Sequence, residues 1–130
     1  MSKKVLIVDD DPDVRLITSS VVQDKGYMPL EAANGEEGLA KVKSETPDLV
    51  VLDVMMPKQS GVRMFRNLKT DKKLKKIPVL MLTGIAKNAF LRSQKVLTEF
   101  GDKPVPEPEG YLEKPVDPEE LGAAIQKFLV

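Results

Sequence analysis

Three runs of consecutive apolar residues, Val5-Leu6-Ile7-Val8, Leu49-Val50-Val51-Leu52 and Val79-Leu80-Met81-Leu82, each stop at a polar side chain: Asp9, Asp53 and Thr83. Apolar runs without alternation predict strands covered on both faces, as in a parallel sheet. Between them, apolar residues recur at helical spacing. Asp11 and Pro12 read as the cap and first position of a helix, with Val14, Ile17, Val21 and Val22 as its inward stripe and Gly26 as its stop. A second helix is predicted from about Asn34, with Leu39, Ala40 and Val42, and a third from about Ser60, burying Met64, Phe65 and Leu68. A fourth covers 88–100 with Phe90, Leu97 and Phe100 inward. The last opens at Asp117-Pro118 and carries Leu121, Ala124, Ile125, Phe128 and Leu129 on one stripe. Two weaker strands complete the pattern. Segment 27–32 contains Pro29, which lacks an N–H and so belongs at a sheet edge; segment 110–114 ends before Pro115. Strand and helix alternate five times, which predicts an α/β fold: a doubly wound parallel five-stranded sheet with helices on both faces and right-handed crossovers.

Composition narrows the chemistry. A chain of 130 residues fits one domain with a single core. Twenty Lys and Arg balance twenty Asp and Glu, so no global field draws the protein to nucleic acid or anionic lipid. With no cysteine and no histidine, disulfides, thiolate or imidazole metal sites, a Ser-His-Asp triad and phosphorylation on its own histidine are excluded. The four apolar residues after Lys3 and Lys4 are too few for a signal peptide or a membrane span, which points to the cytoplasm. Lys69, Lys72, Lys73, Lys75 and Lys76 read as a solvated helix end favoured by the macrodipole. The segment from Asp102 to Gly110 holds Pro104, Pro106 and Pro108 and reads as an extended surface loop.

In an open α/β sheet, ligands bind beyond the carboxyl ends of the strands. Asp9, Asp10, Asp53, Thr83 and Lys114 all fall there. Two carboxylates about 5 Å apart repel by roughly 3 kcal/mol at an effective dielectric near 20. Three converging carboxylates therefore call for a cation. An oxygen-only donor set favours a hard ion such as Mg²⁺, and Lys114 and Thr83 add a positive charge and a hydroxyl donor. Such a set suits a phosphoryl group in line with a carboxylate nucleophile.

Four stretches in order, Val-Leu-Ile-Val-Asp9-Asp10-Asp11, Leu-Val-Val-Leu-Asp53-Val-Met-Met-Pro57, Val-Leu-Met-Leu-Thr83-Gly84 and Tyr111-Leu-Glu-Lys114-Pro115, resemble the receiver domain of bacterial response regulators, the family that includes single-domain chemotaxis regulators. The resemblance covers essentially residues 1–130 as one receiver domain and implies strand order 2-1-3-4-5. It implies Asp53 as phosphoacceptor, Asp10 as direct Mg²⁺ ligand, Asp9 as a ligand acting largely through water, and the Met55 backbone carbonyl as a further ligand. It further implies Thr83 and Tyr111 as switch residues, Lys114 as the partner of Asp53 and then of the phosphoryl oxygens, and a cis peptide before Pro115. The resemblance implies a phosphoacceptor switch that catalyses only its own phosphorylation and dephosphorylation, not an enzyme acting on other molecules. Its expected partners are a sensor histidine kinase or phosphotransfer protein and a downstream protein target. It is expected to bind neither DNA nor membrane, to carry no output domain, and to be a monomer or a weak phosphorylation-dependent dimer.

Thr83 and Lys114 stand 31 residues apart, longer than the family's usual spacing, and the proline segment accounts for the excess. Met55 and Ile85, two residues past Asp53 and Thr83, are apolar where the family is often polar. They are expected to limit access of the attacking water and so to slow phosphoryl loss. Competing readings are a receiver-like adaptor that is never phosphorylated and an aspartate-nucleophile phosphatase of the haloacid dehalogenase kind. In the latter, Asp13 stands where Thr or Val is expected. Asp9, Asp11 and Asp13 mimic an EF-hand, but Val14 and Ser20 occupy its required Gly and Glu positions. The Leu49–Asp53 run has no phosphate-binding glycine loop to accompany it.

Overall fold

A computed structural model describes residues 2–130. Its strands are β1 (Lys4–Val8), β2 (Met28–Ala32), β3 (Leu49–Leu52), β4 (Val79–Thr83) and β5 (Gly110–Glu113). The helices are α1 (Pro12–Asp24), α2 (Gly35–Glu45), α3 (Ser60–Thr70), α4 (Lys87–Glu99) and α5 (Pro118–Leu129). All pairings are parallel and the strand order is β2-β1-β3-β4-β5. Among the described residues, no helix is long and apolar enough to cross a membrane.

The unbroken apolar runs follow from two cores that share each strand. Leu6, Val8, Val50, Leu52, Val79 and Met81 face Val42, Met64, Phe65, Leu68 and Phe90 of α2, α3 and α4. Val5, Ile7, Leu49, Val51, Leu80 and Leu82 face Val21, Val22, Leu121, Ile125 and Leu129 of α1 and α5. With period-two alternation in a strand, a sheet covered on both faces needs an apolar residue at every position. Phe65 and Phe90 meet edge to face, ring centroids 5.6 Å apart. β2 lies at the edge, where Pro29 sits opposite Val5.

Helix starts follow the sequence signals. The side chains of Asp11, Asn34 and Asp117 accept the N–H groups of Asp13, Glu37 and Glu119 respectively. A short 3₁₀ turn, Pro57–Gln59, precedes α3, and Lys58 and Gln59 there take left-handed backbone angles. Two close approaches seat α2 and α3. A Cβ on Gly35 would lie 2.0 Å from the Ser60 carbonyl oxygen, and one on Gly61 2.3 Å from that of Asp53.

Several expectations are corrected. Ile17 is exposed, and Thr18 and Ser19 are the residues that α1 buries in its place. Ala40 is likewise exposed on α2. Phe100 is 85% exposed, because α4 ends at Glu99 and the chain turns away at Gly101, whose φ is +103°. Lys69 is not part of a solvated cluster. Its side chain is fully buried, donating to the carbonyls of Lys75 and Ile77 at 3.2 and 2.9 Å and to both Glu109 oxygens at 2.8 and 2.9 Å. The proline segment is accordingly a strap tied to α3. Arg66 bonds the Lys103 carbonyl and lies 3.9 Å from Asp102, Val105 packs on the core, Pro108 is buried, and Glu109 Oε1 accepts the Val79 N–H at 2.8 Å.

Candidate functional site

The sheet ladder continues one step past the strand ends and fixes the site's backbone. Asp9 N–H donates to Ala32 O, Asp53 N–H to Val8 O, and Lys114 N–H to Thr83 O at 2.8–3.1 Å. Asp9, Asp53 and Thr83 are buried, whereas Asp10 is exposed. The Lys114 ammonium bridges Asp9 Oδ2 at 2.9 Å and Asp53 Oδ2 at 3.0 Å. Asp53 Oδ1 accepts the Thr83 hydroxyl at 2.7 Å and the Met55 N–H at 2.9 Å. Asp9 Oδ1 accepts the Asp11 N–H at 2.9 Å. The Lys114–Pro115 peptide is cis.

One oxygen from each of Asp9, Asp10 and Asp53 lies within 4.8 Å of the others. Three carboxylates against one lysine leave an excess of negative charge. With oxygen donors only, the set fits a hard divalent ion that keeps part of its water shell. Burial raises the Asp9 pKa above the ordinary carboxylate value, outweighing the Asp11 N–H and the Lys114 ammonium. Burial alone would lower the Lys114 pKa, but its bonds to Asp9 and Asp53 win and raise it.

Tyr111 is half-buried against Phe90, with ring centroids 6.0 Å apart, and donates its hydroxyl to the Ile85 carbonyl at 2.6 Å. Burial, with the charges of Glu113 and Asp53, pushes the phenol up to about 12. The Met55 side chain is exposed and its sulfur reaches over Gly84, where a Cβ would lie 3.4 Å from it. Beside Asp10 the surface opens into a cavity of about 580 Å³ between α2 and α3, lined in part by Asn34, Lys58 and Arg63. The residues singled out from sequence thus converge on one edge of the sheet. Arg15 was not among them. Its Nη1 donates to the Asp9 main-chain oxygen at 2.7 Å and its Nε pairs with Glu31 at 3.3 Å. Bonds to main-chain carbonyls leave no trace in side-chain pattern.

A five-stranded parallel sheet of this order, with an acidic cup and a lysine at its carboxyl edge, defines the class of protein. The chain belongs to the response regulator receiver domain family, whose model matches residues 5–126. It is 37% identical over 130 residues to the alkaline phosphatase synthesis transcriptional regulatory protein PhoP of Bacillus subtilis, covering 99% of this chain and 49% of that protein. It is 33% identical to a 14.6 kDa protein of Leptolyngbya boryana, covering 95% of this chain and 88% of that one. The chemotaxis response regulator CheY4 of Vibrio cholerae superposes with a TM-score of 0.80 at 32% identity, over 98% of this chain and 99% of that one. This chain spans about half the length of PhoP and of several other curated relatives. Receiver domains act as phosphoacceptor switches, bind Mg²⁺ at an acidic pocket and engage histidine kinases or phosphotransfer proteins.

Proposed function

We propose that the protein is a phosphorylation switch in which Asp53 takes a phosphoryl group from a partner's phosphohistidine. The observation that carries this reading is the Asp53 carboxylate itself. It is buried, yet held by three donors, Thr83, the Met55 N–H and Lys114, and faces two further carboxylates. A carboxylate oxygen attacks phosphorus, the P–N bond to the imidazole breaks, and the imidazole nitrogen keeps the bonding pair and takes up a proton. Mg²⁺, held by Asp9, Asp10, Asp53 and the Met55 carbonyl, would supply charge neutralisation for the phosphoryl oxygens. Lys114 is placed to follow those oxygens as they develop on Asp53, and the Thr83 hydroxyl is free to rotate from Asp53 to one of them. Tyr111 reads the same event through Ile85, two residues past Thr83.

A downstream protein would then recognise the altered α4–β5 surface. We propose that the receiver works in the cytoplasm, without itself binding DNA or membrane, as monomer or weak phosphorylation-dependent dimer. The test is intact-mass spectrometry with acetyl phosphate and Mg²⁺. One phosphate should add to the wild type, and none to Asp53→Asn or to wild type with EDTA. Unmodified wild type would leave the adaptor reading; turnover of phosphate esters independent of Asp53 would favour the phosphatase.

A further inference from the structure

The three carboxylates of the cup are unequally restrained. Asp53 is held by three hydrogen bonds and Asp9 by two, from the Asp11 N–H and Lys114. Asp10 is exposed, and among the described residues only the main chain restrains its carboxylate. The main chain at the Asp9–Asp10 peptide therefore orients only the root of this side chain, its Cα–Cβ bond. Arg15 holds that peptide by its carbonyl, through a charge-assisted bond of 2.7 Å. Arg15 is itself fixed. Its side chain is 19% exposed, it rises from the first turn of α1, and its Nε meets Glu31 on β2, whose neighbour Ala32 accepts the Asp9 N–H. One guanidinium fork thus ties β2 and α1 to the peptide from which Asp10 projects.

We propose that Arg15 is a positioning residue for the divalent-cation site, acting through the Asp9 carbonyl to keep the Asp10 carboxylate where the ion needs it. The proposal rests on the phosphoacceptor reading. It makes a prediction opposite in sign to plain electrostatics: removing a nearby positive charge should tighten Mg²⁺ binding to three carboxylates, whereas losing a positioning bond weakens it. Partners that orient a metal ligand typically contribute 10–100-fold in affinity. The planar guanidinium presents its donors to the Asp9 carbonyl and Glu31 in one fixed geometry, which the compact ammonium on the flexible stem of a lysine does not reproduce.

The experiment titrates Mg²⁺ into the unphosphorylated full chain and follows the amide resonances of Asp10 and Asp53. Arg15→Gln should raise the Mg²⁺ Kd about tenfold, Arg15→Lys about threefold, and Glu31→Gln less than either. In phosphorylation by acetyl phosphate, the half-saturating Mg²⁺ concentration should rise while the rate at saturating Mg²⁺ stays near wild type. A merely structural role lowers thermal stability and leaves the Kd unmoved. The inference is overturned if Arg15→Gln, or Arg15→Lys should the first not fold, binds Mg²⁺ as tightly as wild type or more tightly. Wild type that neither binds Mg²⁺ nor takes up phosphate would sink the phosphoacceptor reading and this inference together. Normal wild type beside unaffected variants sinks this inference alone.

Discussion

Substituting Glu109 by Gln keeps the shape of the strap's anchor and removes its charge. The Lys69 ammonium, wholly enclosed, would then be left with the Lys75 and Ile77 carbonyls and a neutral amide oxygen. Breaking a buried ion pair typically costs about 3–5 kcal/mol, because one charge remains without its counterion. Here the Glu109 side chain is 36% exposed, so water already screens part of the attraction, and about 2 kcal/mol is the appropriate figure. Glu109→Ala additionally strands the Val79 N–H, which the carboxylate accepts at 2.8 Å, adding about 1–2 kcal/mol. Urea unfolding followed by far-UV circular dichroism reads these as midpoint shifts at constant slope. For a chain of this length, 2 kcal/mol lowers Tm by roughly 6–8 °C. The Lys69→Met/Glu109→Gln pair should lose at least about 1 kcal/mol less than the two single variants summed, since the pair couples directly. If Glu109→Gln lies within about 0.5 kcal/mol of wild type and Glu109→Ala costs no more, the strap is not latched as described and Lys69 is solvated after all.

Alkaline pH should weaken the fold. Tyr111 in the folded state ionises at about 12 instead of 10.0, and Lys114 above 10.5, so both hold their protons more tightly folded than unfolded. Their contributions are complete below those unfolded values and are lost as pH rises through the folded ones. Urea midpoints should therefore fall from pH 10 upward, less so in Tyr111→Phe; a phenol titrating at 10 in the folded protein contradicts this. Gly61→Ala drives a methyl to within 2.3 Å of the Asp53 carbonyl oxygen and 2.7 Å of Val54 Cα, so it should cost about 2–3 kcal/mol and slow phosphorylation together. A variant of normal stability and rate would show that α3 yields freely. Met55→Asn with Ile85→Glu should shorten the phosphoryl lifetime by opening a path for water beside Asp53; an unchanged rate of phosphate loss refutes that role.

The strands and the site edge were legible in the sequence for one reason. A sheet covered on both faces demands unbroken apolar runs, and the first polar residue after each run must emerge at the carboxyl edge. Asp9, Asp53 and Thr83 are those residues. What failed was pattern without partner. Ile17 and Phe100 continue a helical apolar period, but burial depends on where the helix meets the sheet and where it stops, and α4 stops one residue before Phe100. Lys69 sits among lysines, and its counterion lies 40 residues away in a segment that reads as plain loop. Arg15 answers to a backbone oxygen, which no composition reveals.

The strap and the cup occupy opposite ends of one strand, and this makes them separable. Glu109 caps the N–H of Val79, the first residue of β4, while Thr83, its last, donates to Asp53. At about 3.3 Å per residue, the two ends are roughly 13 Å apart. Effects at sites more than about 10 Å apart without shared partners usually add. Lys69 and Glu109 share none with Asp9, Asp10 or Lys114. Glu109→Gln should therefore lower stability while leaving Mg²⁺ affinity at the wild-type value, and Arg15→Gln should weaken Mg²⁺ binding by the same factor with or without it. Should the latch variant shift the Mg²⁺ Kd more than twofold, β4 would be acting as a rigid lever between strap and cup. The long connection before β5 would then belong to the switch, as well as to the scaffold.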